Sequence, residues 1–71
     1  MNPQKTWRIR CSALIDAANP ASLGYLYWNG VAWTALSRTA ALFASEGAMQ
    51  KILATLSPPR TARGTMKGYA L

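Results

Sequence analysis

Few side chains in this 71-residue sequence can make or break covalent bonds: there is no His, the only carboxylates are Asp16 and Glu46, and the only thiol is Cys11. Paired acid–base catalysis needs two titratable groups flanking one substrate. Asp16 and Glu46 are far apart in the chain, and Glu46 already has a role at a helix start. A Cys nucleophile needs a neighbouring base, and a zinc site needs three or four N, S or O ligands, neither of which this inventory supplies. Gly24, Gly30, Gly47, Gly64 and Gly68 are scattered singly, so no glycine-rich phosphate loop is present. The sequence therefore predicts a non-enzymatic protein with no metal and no cofactor.

What remains is charge. Eight cations, Lys5, Arg8, Arg10, Arg38, Lys51, Arg60, Arg63 and Lys67, oppose two acids and give a net charge of +6. A potential of that sign draws in nucleic-acid phosphates or an acidic protein face. Two groups of residues are candidate partner-binding surfaces. Arg8, Arg10, Tyr25 and Tyr27 form the first, where guanidinium groups would hold phosphates while tyrosine rings stack on unpaired bases. The same four side chains also read as cross-strand pairs covering a solvated sheet face. Arg60, Arg63 and Lys67 form the second, either a grip on an acidic surface or a solubilising end.

The elements that must position these residues follow from periodicity. Residues 6–14 alternate, with Trp7, Ile9 and Cys11 on one side and Arg8, Arg10 and Ser12 on the other, as in a strand with one buried face. Residues 13–18 also fit a short helical turn that Ser12 would cap and Pro20 would end. Residues 24–36 read as a β-hairpin. Asn29-Gly30 between aromatic and β-branched runs signals a two-residue type I′ turn, which pairs Trp28 with Val31 and Leu26 with Trp33. Leu26, Trp28, Val31 and Trp33 would then face the core, leaving Tyr25 and Tyr27 outside with Arg8 and Arg10. Residues 36–44 fit a loop with a short strand or a helical turn, with Leu42 and Phe43 supplying core.

Residues 45–56 predict a helix. Ser45 is its N-cap, Glu46 favours the macrodipole, and Ala48, Met49, Ile52, Leu53 and Leu56 form one apolar stripe before Pro58-Pro59 ends it. Residues 57–71 are a basic tail or an edge strand. A chain of this length buries only about 60% of its unfolded surface, which limits it to a single domain over 1–71. The expected class is α+β: a small antiparallel sheet of three strands, or four if the tail joins it, with one amphipathic helix packed on one face.

Residues are 51% hydrophobic and 14% charged, so self-association through apolar surface is one way to cover what the charges do not. A lone cysteine excludes an internal disulfide and suits a reducing compartment. No run approaches the roughly 20 apolar residues of a membrane span, and Cys11–Ile15 is too short for a signal-peptide core. A soluble, cytoplasmic protein is expected.

Residues 25–56, through Gly30-Val-Ala-Trp33 and then Ala41-Leu-Phe43-Ala-Ser45-Glu46-Gly-Ala48, resemble a hairpin-then-capped-helix pattern of small phage and mobile-element proteins, a class that includes anti-CRISPR proteins. The resemblance implies an inhibitor in the bacterial host cytoplasm that occludes a surface of a ribonucleoprotein defence complex. A net charge of +6 departs from the acidic, nucleic-acid-mimicking sort and points to an acidic protein face or to competition beside bound nucleic acid. The residues themselves suggest two alternatives: a nucleic-acid-binding accessory protein using the Arg/Tyr face, and a self-associating structural subunit.

Overall fold

A computed structural model describes residues 6–70 of the chain. Its centre is β1 (Trp7–Leu14), which lies between β2 (Leu23–Trp28) and β4 (Ala62–Ala70), while β3 (Trp33–Thr34) flanks β2. All neighbours are antiparallel, in the order β3-β2-β1-β4, with α1 (Glu46–Leu53) on one face. This is the α+β architecture expected, in its four-stranded form. Among the described residues, no helix is long and apolar enough to cross a membrane.

Period-two alternation shapes β1: Ile9, Cys11 and Ala13 are completely shielded from solvent, and Arg8, Arg10 and Ser12, which alternate with them, are half-buried. The strand runs to Leu14, so residues 13–18 do not form a helical turn. Residues 15–22 instead make a loop in which the Ser22 hydroxyl donates to the carbonyls of Asp16 and Asn19 and accepts from the Asp16 N–H. The Asp16 and Asn19 side chains accept from Ala18 and Ala21 N–H groups, each at 3.0 Å, local bonds that compete with helix formation.

The hairpin forms with a longer loop than expected. Trp28 pairs with Trp33 and Tyr27 with Thr34, leaving Asn29, Gly30, Val31 and Ala32 outside the ladder. Gly30 has φ of 101°, but Asn29 keeps a negative φ, so the turn is not type I′. The Asn29 carboxamide oxygen accepts from both Val31 and Ala32 N–H at 2.8 Å, and its own N–H donates to the Ala32 carbonyl. That side chain closes the loop without a left-handed asparagine. The register moves by two residues, which preserves parity. Trp28 and Trp33 still share a face, edge to face at 5.7 Å, and Leu26 now lies opposite Cys11. Val31 is corrected from core to loop tip, at 86% exposure.

Past β3 the chain turns through a short 3₁₀ segment, Ser37–Thr39, and then runs extended. Trp7 and Phe43 exchange backbone hydrogen bonds, Trp7 N–H to Phe43 O at 2.9 Å and Phe43 N–H to Trp7 O at 2.8 Å. Residues 37–39 thus supply the helical turn, and residues 40–44 are neither helix nor regular strand. The bridge sets Phe43 on the Trp7 side, and alternation turns Leu42 outward, where it is exposed rather than part of the core.

Ser45 caps α1, its hydroxyl accepting from Ala48 N–H at 3.1 Å, with Glu46 in the first turn. The α-helix ends at Leu53, earlier than the expected residue 56. The next bonds, Thr55 N–H to Ile52 O and Leu56 N–H to Leu53 O, tighten the end before Pro58. Its stripe is narrower than its sequence suggests: Met49 is buried, Leu53 and Leu56 are half-buried, and Ala48 and Ile52 face solvent. Met49 fills the space above Gly68, where an added methyl group would overlap its Sδ and Cε atoms. Because Gly68 pairs with Ile9, this contact is what lets the helix settle onto the sheet.

Candidate functional site

Residues directly opposite on antiparallel neighbours share a face, so register determines which side chains gather on the open side of the sheet. Arg10 lies opposite Tyr27 on β2 and Lys67 on β4. Ser12 lies opposite Tyr25, and Arg8 opposite Tyr69. Arg10 is therefore at the centre of a cationic and aromatic patch on the face away from α1. Its guanidinium carbon lies 4.4 Å from the Tyr25 ring centroid and 4.5 Å from that of Tyr69, contacts in the range of cation–π attraction. Tyr27 and Tyr69 meet edge to face at 6.5 Å. Neither carboxylate belongs to this patch: Asp16 is in the loop after β1, and Glu46 opens α1 on the other face.

The three arginines nearest the patch are used differently. Arg8 donates from Nη1 to the Ser37 carbonyl at 3.2 Å, and its Nε is buried without an acceptor. It ties the 3₁₀ segment to β1 rather than reaching for a ligand. Arg63 donates to the Ala62 carbonyl. Arg10 donates to no protein acceptor among the described residues, so its guanidinium N–H groups are not committed to the protein while both rings approach its central carbon. Of the expected first group, Arg10, Tyr25 and Tyr27 come together. Of the second, Lys67 joins them, Arg63 is exposed at the start of β4, and Arg60 is exposed in the turn before it.

Tyr69 is the site residue that sequence reasoning missed. Its signal was the alternation Thr65, Lys67, Tyr69, which carries meaning only once 62–70 is known to be a strand. Beside it the β1–β4 ladder is irregular. Cys11 faces Met66, but Ala13 faces Ala62, so extra β4 residues stand opposite Ser12 as a β-bulge. Gly64 sits there because a Cβ would lie 3.3 Å from the Ser12 Cβ. The bulge helps shape a hollow of about 310 Å³ lined by Arg10, Ser12, Tyr25, Gly64, Thr65 and Lys67.

Cys11 contributes no chemistry to this face. Its side chain is on the core side, fully shielded, with Sγ 3.4 Å from the Gly64 carbonyl. Burial pushes its thiol up from the ordinary range, and the contact with Gly64 only partly offsets this, the opposite of what an activated nucleophile needs. Among the described residues, no group of three or more His, Cys, Asp or Glu side chains is placed to hold a metal ion. Compared with protein-family models, with curated proteins and with solved structures, the chain shows no significant match.

Proposed function

We propose that this protein is a non-enzymatic binding module that holds single-stranded nucleic acid on its open sheet face, in the cytoplasm of a bacterial host. One observation carries the reading: Arg10 is held between two tyrosine rings, beside Lys67, on a face where the described residues include no Asp or Glu. The rings fix the guanidinium in place, so little side-chain entropy is lost when a phosphate takes its free N–H groups. Tyr25, at 45% exposure, offers ring surface on which an unpaired base can stack. Such stacking contributes about 1–3 kcal/mol per base and tolerates any sequence. Duplex DNA hides its base faces and would use only the charges.

The test is fluorescence anisotropy with a labelled mixed-sequence single strand. Binding on the order of micromolar is expected at low salt, weakening with a log–log slope of about −0.7 per phosphate engaged. With Arg10 and Lys67 as the principal contacts, the slope should lie near −1.4. Absence of binding at 50 mM salt, a test condition set on the basis of that electrostatic dependence, would remove this reading. The inhibitor implied by the resemblance would place the same face on an acidic patch of a defence complex. It predicts a stoichiometric assembly with the purified complex and no affinity for free oligonucleotide.

A further inference from the structure

We propose that the hollow beside the β-bulge is a phosphate-monoester pocket, selective for a terminal phosphate over the diester linkages within a strand. The proposal deepens the nucleic-acid reading and rests on it for the strand end as the source of that phosphate. Two cations, Arg10 and Lys67, and two hydroxyls, Ser12 and Thr65, line one hollow together with Tyr25 and the Gly64 backbone. Among the described residues, no carboxylate or imidazole lines it. A monoester carries a charge of about −1.5 to −2 at neutral pH and three free oxygens. A diester carries one charge and two free oxygens. Two cations and two hydroxyl donors therefore match the monoester in charge and supply a donor for each of its three oxygens, and more of the set is left unused by a diester.

Size points the same way. About 310 Å³ is at the lower edge of the range for small-ligand sites, roughly 300–1,000 Å³, enough for one phosphate with its sugar and too small for several nucleotides. The irregular ladder makes this room. Were β4 to continue in register from Met66, Gly64 rather than Ala62 would lie opposite Ala13, without the extra residues that stand beside Ser12 along the hollow. Tyr25 and Arg10 belong both to the hollow and to the stacking face, so a strand with its end in the hollow would continue directly onto the tyrosines.

A monoester can come from a strand end or from a free nucleotide, and titration of the isotope-labelled protein by NMR distinguishes the two. The probes are adenosine 5′-monophosphate, its phosphate methyl ester, and a hexanucleotide with either a 5′-phosphate or a 5′-hydroxyl. The monophosphate should shift the Gly64, Thr65 and Lys67 amides and bind at least about five-fold tighter than its methyl ester at pH 7.5, with the advantage shrinking toward pH 5.5 as the dianion takes up a proton and becomes singly charged. A similar preference for the phosphorylated hexanucleotide supports a strand end as the source, whereas equal hexanucleotides with the monophosphate preference intact support a free nucleotide. Thr65→Val, checked for an unchanged fold by its spectrum, should reduce the preference while leaving the hydroxyl-ended hexanucleotide bound as before. Equal affinity for monophosphate and methyl ester overturns the pocket even if both hexanucleotides bind. Failure of the hydroxyl-ended hexanucleotide alone counts against the stacking face and leaves the pocket standing.

Discussion

On the inner face of β1, Ile9, Cys11 and Ala13 are closed off from water, while the residues that alternate with them, Arg8, Arg10 and Ser12, belong to the open face. The same strand serves both sides of the sheet, so adjacent residues have unrelated tasks. Inner-face residues are held by packing beneath a short helix, with Met49, Ala40 and, at the end of β1, Leu14 completing the shielded core. Outer-face residues are held by one another, through Arg10 between Tyr25 and Tyr69 and by Tyr27 against Tyr69. A core this small leaves little stability to spare, and the open face achieves its order without drawing on it. Stability and binding should therefore separate by residue parity.

The largest expected effect of breaking that separation comes from Ile9→Ala. Removing a fully shielded side chain should cost about 2–5 kcal/mol, enough to unfold much of the population. Urea denaturation would show the loss, and the fraction still folded should bind oligonucleotide with unchanged affinity. Gly68→Val tests the same face by overpacking, because the new side chain takes the space of Met49. A loss of about 1–3 kcal/mol is expected, and it should be partly recovered when Met49→Ala is added.

A smaller effect concerns pH. The folded-state pKa of Cys11 is raised by burial, so the folded protein holds the thiol proton where the unfolded chain releases it. The stability this contributes is fully present below the unfolded thiol pKa of about 8.5 and is lost as pH rises above it. Thermal melting of the native protein should fall between pH 8 and 9.5, within the thiol titration range, more steeply than that of Cys11→Ala, whose overall stability is lower. Parallel slopes would show that the thiol does not contribute.

The parts of this arrangement legible from sequence are those governed by local chemistry. Alternation through Trp7–Leu14 gave the central strand and put Arg10 outside, and the Ser45 cap with Glu46 marked the helix start. Parity placed Tyr25 and Tyr27 with Arg10 even though the hairpin register was off, because an error of two residues leaves faces unchanged. The error arose because Asn29 has two ways to close a turn, by adopting positive φ or by accepting with its side chain, and the residue types do not choose between them. Long-range pairing was the illegible part. That the basic end would lie beside β1 and bring Lys67 and Tyr69 to Arg10 depends on contacts between opposite ends of the chain, as does the diversion of Arg8 to the Ser37 carbonyl.

Two charge reversals on opposite faces test the central claim most directly. Arg10→Glu changes the open face, and Lys51→Glu makes the same change in net charge on the exposed side of α1. Single-strand binding by both variants should be measured at one low salt concentration. Affinity should be lost beyond detection in Arg10→Glu and reduced less than about three-fold in Lys51→Glu, since only long-range charge is altered there. Equal losses in the two variants would mean that net charge alone draws the strand in, and would contradict a binding site built around Arg10.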